Sequence, residues 1–392
     1  MLRGALARGR ADLSSYDVEL IGASELHRVR DAWADLFDRS AECNVFYGPD
    51  LLAPLANSPL CDSSFRALIV WRLSPGSRTL AGFMPLRMTV SPLSAVRGFK
   101  HHYIVGCAPL IDEANPVNVA IAMMDGLAAL RPGALLIMDD LRLDWAAWRA
   151  FKQAANATGR VFEEQDIFHR AGVTPHGDVS HLKGKIAQNL RRCGAKLTAQ
   201  GQWTVFTDED ADAARGGLEA LLAVEASGWK GAGGTALASK PETLAFARAA
   251  FDPANVRPTP RFTVLALDGR PIAVSMNLIG RDHAANLKCA YDEAYHAASP
   301  GVLLDAAMAE RLRETSFTPM IDSVATPGHP VERLWPERLR CGWVAIACDP
   351  AMGLGEFHMR LSIEQLQRQM RSLARNAYHS AMPALKKVIS RD

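Results

Sequence analysis

Residues 261–280 read RFTVLALDGRPIAVSMNLIG, two apolar, β-branched runs divided by Asp268-Gly269. Such a pair predicts a β-hairpin closed by a tight turn, because Asp-Gly accepts the positive φ that the turn needs. The following stretches extend the constraint. HAANLKCAYDE (283–293) predicts a third strand, VLLDAAMAERLRET (302–315) a helix, and FTPMIDSVA (317–325) another strand. Upstream, ADAARGGLEALLAVEASGW and ETLAFARAAF carry helical periodicity. The order is helix, helix, three antiparallel strands, helix, strand. It confines this part of the chain to the α/β class with a mixed sheet.

The first half follows a similar order without repeating the sequence. ASELHRVRDAWADLFDRS is helical in period, and FRALIVWRL and TLAGFMPLRMTV form a second hairpin pattern across SPGSR. PVNVAIAMMDGLAAL predicts a buried helix and GALLIMDDL a buried strand. DWAAWRAFKQAANATG predicts a helix with Asp144 as N-cap and Gly159 as C-cap. A chain of 392 residues has room for two such units. The expected division is a disordered lead at 1–15, domains at 16–178 and 179–350, and a tail at 351–392.

Charge adds one asymmetry. The chain carries a net +2 overall, but residues 353–392 hold seven Lys/Arg against three Asp/Glu, so the basic excess lies in the tail. There, Ile363, Leu366, Met370, Leu373 and Ala377 follow a helical spacing of three and four. The basic run KGKIAQNLRRCGAKLTAQ (183–200) predicts a second cationic helix, read as a solvated face. Seven scattered cysteines without a Cys-x-x-Cys pair point to reduced thiols, not a disulfide framework or zinc site. The basic start is read as a lead and not a secretory signal, and no window has the apolar length of a membrane span. The expected location is cytoplasmic or peripheral at the inner membrane.

The usual nucleotide-loop, dinucleotide, serine-elbow and zinc-protease motifs are absent from the sequence. His101-His102 would point to opposite faces of a strand, so no metal is expected there.

The most informative corner is CAYDEAYHAASPGVLL (289–304). Alternation along the strand sets Lys288, Ala290 and Asp292 on one face and Cys289, Tyr291 and Glu293 on the other. Ser299 fits an N-cap and Pro300 the first helical position. Gly301 allows close approach to the backbone. The N–H groups from Gly301 to Leu304 are then expected to face the strand end as an anion seat.

ASGWKG, LDGRPIAVSMNLI, KCAYDEAYHAASPGVLL and IDSVATPGHPVERLW together resemble acetyltransferases of the CelD type, a branch of the GNAT superfamily associated with bacterial exopolysaccharide loci. The resemblance is clearest over 180–345, and FKHHYIVGCAPLID (99–112) resembles the family's first half. It implies two tandem GNAT-like domains, an acyl thioester donor such as acetyl-CoA, and an amine acceptor on an amino sugar of a surface polysaccharide or its precursor. The usual Gln/Arg-x-x-Gly-x-Gly/Ala phosphate signature is replaced here by Ala298-Ser299-Pro300-Gly301-Val302.

On that reading Ser299, Pro300, Gly301, Val302 and Leu303 form the donor seat. Asp292 is the first candidate base and Asp322, inside the apolar PMIDSV, the second; Asp322 alternatively serves as a structural cap. Tyr291 or Tyr295 would protonate the leaving thiolate. Lys288 would neutralise an anionic group, and Trp229 with Lys230 suit an anionic sugar. His101, His102 and Tyr103 would face the cleft between domains, closed from the far side by Arg333 and Trp335. Two alternatives stand beside it: a Fem-like aminoacyl-tRNA-dependent transferase, and a non-catalytic or second-messenger-regulated binding module. For the tail the readings are docking on its own domains, dimerisation, a membrane surface, or a cyclic dinucleotide. DNA is not an expected partner.

Overall fold

The computed structural model describes residues 15–89, 95–175, 182–208, 211–311 and 319–389. The expected lead lies outside these residues up to position 14, as do 312–318, where the predicted helix was to end and the last strand to begin.

Thirteen strands form one mixed sheet. In the first half β1 (Tyr16–Ile21), β2 (Phe65–Ser74) and β3 (Ser77–Arg87) are antiparallel neighbours. The short β4 (Val96–Gly98) follows β3, and β5 (Leu110–Ile111) pairs with β3 off the main path. β6 (Leu135–Arg142) runs parallel to β4, and β7 (Phe162–Val173) completes this half. In the second half β8 (Trp203–Thr207), β9 (Thr259–Leu267), β10 (Arg270–Ile279) and β11 (Ala284–Tyr291) are antiparallel. β12 (Ile321–Asp322) runs parallel to β11, and β13 (Glu337–Ala347) ends the series. Each half therefore holds an antiparallel run and one parallel pair, with a helix connecting the parallel strands.

The halves are joined by an exchange of strands. β13, from the end of the chain, lies between β6 and β7, and β7 in turn pairs with β12. The backbone ladder is continuous through the middle of the molecule.

Helices cover both faces. They are α1 (Arg30–Arg39), α2 (Pro49–Ala56), α3 (Pro116–Leu130), α4 (Ala146–Thr158), α5 (Lys185–Thr198), α6 (Ala211–Ser227), α7 (Trp229–Ala232), α8 (Pro241–Ala250), α9 (Pro300–Arg311) and α10 (Leu354–Ile389). The largest core spans both halves: Trp33, Phe46 and Phe83 from the first pack in one cluster with Leu221, Phe262 and Val274 from the second.

The hairpin turn forms as its sequence predicts, with φ of 49° at Asp268 and 78° at Gly269. Gly159 closes α4 with φ 67°. The start of α4 corrects the expected cap. Asp144 is drawn back to Arg142, 2.8 and 2.6 Å away. The carboxylate of Glu42, a hundred residues earlier, instead accepts from the Ala146 and Ala147 N–H groups. A long-range acid has displaced the local one.

Candidate active site

β11 and β12 pair only through Ala284–Ile321 and Ala285–Asp322, and then part. What turns the chain away is Val324, held at φ 56°, a conformation that costs a β-branched residue energy. Asp322 holds it there: its carboxylate accepts the Val324 N–H at 2.8 Å and lies 3.3 Å from the Arg170 guanidinium of β7. On its other edge β11 carries a bulge, with Leu287 unmatched on β10.

The opening is a cavity of about 660 Å³. Asn286, Cys289 and Tyr291 of β11 line one wall, Gly301 and Asp305 of α9 another, and Trp335 a third. Past Ala285, the edge of β11 on this side has no strand partner among the described residues. It can pair with an extended, amide-bearing chain laid into the wedge.

α9 meets the cavity mouth with its N-terminus. Pro300 opens the helix, as expected, but Ser299 is not an extended N-cap. It has φ 50°, because a short 3₁₀ helix at Glu293–Ala298 runs straight into α9 and Ser299 closes the first while starting the second. The Ser299 carbonyl takes the N–H groups of both Val302 and Leu303. The expected seat of several N–H groups thus narrows to Gly301. A methyl group at Gly301 would lie 3.7 Å from Tyr291 Cδ1 and 4.0 Å from Cys289 Sγ, so this glycine faces open cavity.

Asp305 was not foreseen. In VLLDAAMAE it looks like the polar side of an amphipathic helix, yet it lies one turn beyond Gly301 on the same face and lines the cavity. Burial pushes its carboxyl up to about 7. Trp335 is fixed beside it by donating Nε1–H to the Asp305 carbonyl at 3.0 Å.

The opposite face of β11 carries a charged cluster. Lys288 Nζ lies 2.7 Å from Glu225 of α6, and Lys230 Nζ lies 3.1 Å from the same oxygen. The second oxygen of Glu225 accepts the Leu237 N–H at 2.8 Å. Burial alone would raise Glu225, but Lys288, the Leu237 N–H and Lys230 hold it below the ordinary carboxylate value. Burial likewise pulls Lys288 down against the opposing pull of Glu225. Tyr103 packs against Phe246 at 4.7 Å, with Lys288 Nζ 5.8 Å from its ring and His102 edge-on at 5.0 Å. Burial, with the two lysines, keeps His102 below its usual value, and burial does the same to His101. Trp229 stands 65% exposed at the rim of a small cavity shared with Glu225, Lys230 and Tyr291.

Lys288, Trp229, Lys230, His102 and Tyr103 are therefore neighbours, and the acid that organises them, Glu225, was missed. Its signal was a lone carboxylate in the apolar run ALLAVEASGW.

Other candidates lie elsewhere. Both carboxylate oxygens of Asp292 are engaged, one by the Ala294 N–H at 3.0 Å and the other by Arg270 at 2.9 Å, and Asp292 lines neither cavity. It caps the short helix, away from the wedge. Asp322 is 2% exposed, with Arg170 and the Val324 N–H on its carboxylate, an arrangement that matches the alternative reading of it as a structural cap. Tyr295 packs beside Leu265, Ala273 and Leu304. Arg333 is exposed and lines neither cavity. Among the described residues no cluster of His, Cys, Asp or Glu suits a metal ion, and no helix is long and apolar enough to cross a membrane.

Comparison with known proteins places the wedge in a class. Residues 184–326 match the family model described as an acetyltransferase (GNAT) domain. No protein of curated function matches the chain. Among solved structures, the C-terminal domain of a candidate lysylphosphatidylglycerol synthetase from Agrobacterium fabrum is 11% identical with a TM-score of 0.53, covering 87% of this chain and 96% of that one. L-PGS from Bacillus licheniformis is 12% identical with a TM-score of 0.49, over 84% and 95%. A tandem GNAT protein from the clavulanic acid biosynthesis pathway is 14% identical with a TM-score of 0.41, over 86% and 100%. At such identities the likeness is one of fold. The fold is of the GNAT acyltransferase type, and β11, the mouth of α9 and the turn after β12 all fall within the matched residues 184–326.

Proposed function

We propose that the protein transfers an acyl group from a coenzyme A thioester, most directly acetyl-CoA, to an amine. The observation that carries this reading is the wedge between β11 and β12, which ends on the N-terminus of α9. Coenzyme A has an extended arm with two amides and a phosphate-bearing end. The free edge of β11 suits the arm, and Gly301 with the basic α5 nearby suits the phosphates. Lys196 of α5 reaches the Ala297 carbonyl at 2.6 Å, which brings that helix to the cavity mouth.

The thioester carbon then lies deep in the wedge near the Leu287 bulge and Asp305. The amine nitrogen attacks that carbon, the C–S bond breaks, the nitrogen loses a proton and the thiolate gains one. An alkylamine with a pKa of ~10.4 is mostly protonated at neutral pH, so a proton acceptor matters. Asp305, with its carboxyl at about 7, lines this space together with His296 and His329, and lies deepest along the α9 wall as the group we assign to proton exchange. The acceptor approaches from the other face of β11, past Trp229, Lys230 and Lys288. An aromatic ring beside cations suits a sugar with an anionic substituent, which agrees with an amino-sugar acceptor of an exopolysaccharide or its precursor.

Calorimetry with acetyl-CoA tests the donor, and mass spectrometry of amino-sugar glycans incubated with protein and acetyl-CoA tests the acceptor. Failure of the folded protein to bind acetyl-CoA at millimolar concentration would overturn the reading. Salt-sensitive binding of aminoacyl-tRNA in its place would reassign the donor.

A further inference from the structure

The visible part of α10 uses two opposite faces. Phe357 and Leu361 are buried against Leu135, Ile137 and Trp343 of the sheet. Glu364 pairs with Arg97, and Arg368 lies 2.7 Å from Asp139 with its guanidinium 4.0 Å from the Trp343 ring. This face accounts for the docking of the tail on its own chain.

The other face is apolar and uncovered. Met359, Ile363, Leu366, Met370 and Leu373 are each 51–63% exposed, and exposed Ala377 continues the row. Their spacing alternates four, three, four, three, four. That is the 3.5-residue repeat of a coiled-coil seam, narrower than the apolar stripe of a helix that packs on a globular core.

The residues flanking the seam select the occupant. Ser362, Gln367, Gln369 and Ala374 are uncharged, and Arg360 is tied to Glu356 at 2.8 Å. A helix that lies on anionic lipid carries free cations beside its apolar stripe, and here the docked arginine points the other way, into the protein. Neutral flanks impose no like-charge repulsion when the seam meets a copy of itself. Five half-exposed side chains of roughly 100 Å² each per copy would bury roughly 1,000 Å² in total, the lower bound for a specific interface. The bodies lie on the far side of each helix from the seam, so they do not obstruct it.

We propose that α10 pairs with α10 of a second copy through the seam from Met359 to Ala377. Sedimentation of the full chain over a range of concentrations, with and without the paired substitution Leu366→Glu and Leu373→Glu, tests this. The native chain should be a dimer. The variant should be a monomer with the circular dichroism of the native fold, since both positions are exposed in the single chain. A native chain that stays monomeric throughout, or a variant that stays dimeric, overturns the proposal. Flotation with phosphatidylglycerol-rich vesicles separates the remaining case: a monomeric native chain that floats, and a variant that does not, would assign the seam to lipid and overturn the pairing. None of these outcomes depends on the acyl donor.

Discussion

The carboxylate of Asp322 stands 3.3 Å from the guanidinium of Arg170, and so links β12 of one half to β7 of the other at the point where the cavity opens. The same carboxylate holds the Val324 N–H, and with it the turn that separates β12 from β11. An ion pair at the junction between the halves is thus also the prop of the proposed donor site.

Asp322→Ala should reveal both roles. Among the described residues, it leaves buried Arg170 with Asp140, also at 3.3 Å, for compensation. A loss of about 3 kcal/mol in denaturant unfolding is expected. Releasing Val324 should also weaken acetyl-CoA binding. Replacing Asp322 and Arg170 together by leucine should recover much of the stability, but not the affinity, because no group then holds the Val324 turn.

Gly301→Ala separates the donor seat from the fold. The added methyl group meets Tyr291 and Cys289 at ordinary contact distances, and a helix tolerates alanine better than glycine. Melting should be unchanged or slightly raised. Calorimetry should show acetyl-CoA affinity reduced about tenfold, a 1.4 kcal/mol effect, if the phosphates approach this backbone. Equal affinity would move the donor away from α9.

How far the sequence discloses this site depends on the range of the interactions. The Asp-Gly hairpin, β11 and the Pro300 helix start are set by neighbouring residues, and local pattern finds them. Asp292 was legible as a polar residue at a strand end, but its partner Arg270 comes from the neighbouring strand, so capping could not be told from catalysis. Glu42 at the start of α4 and Arg170 on Asp322 come from more than a hundred residues away, beyond any local rule. Asp305 was hidden because its burial depends on Trp335 and on the parting of β11 and β12, which no periodicity records. The exchange of β7 and β13 belongs to the same class, because strand order is set by tertiary pairing.

Trp229→Ala probes the acceptor side. The ring is exposed and belongs to none of the core clusters, so the melting temperature should stay within a degree or two. Affinity for acetyl-CoA should also hold. The KM for the acceptor should rise roughly tenfold with kcat little changed, as for lost uniform binding. A fall in kcat alone would remove Trp229 from the acceptor path.

Asp305→Asn should trade activity for stability, with a sign set by pH. The folded protein holds the Asp305 carboxyl at about 7. The unfolded chain holds an aspartate at ~3.9. A group raised in this way favours the folded state fully below the unfolded value, and the advantage is lost as pH rises through the folded one. Asparagine does not ionise, so at about pH 8 the variant should melt several degrees above the native protein, and near about pH 4 the difference should vanish. Turnover should fall by about 10²–10³ at saturating acetyl-CoA, because the amide keeps the shape of the wall but exchanges no proton. The two measurements check each other. A variant that gains stability at high pH yet keeps full turnover would leave Asp305 a buried acid of the wall and move the search for the proton acceptor to His296 and His329 of the same cavity.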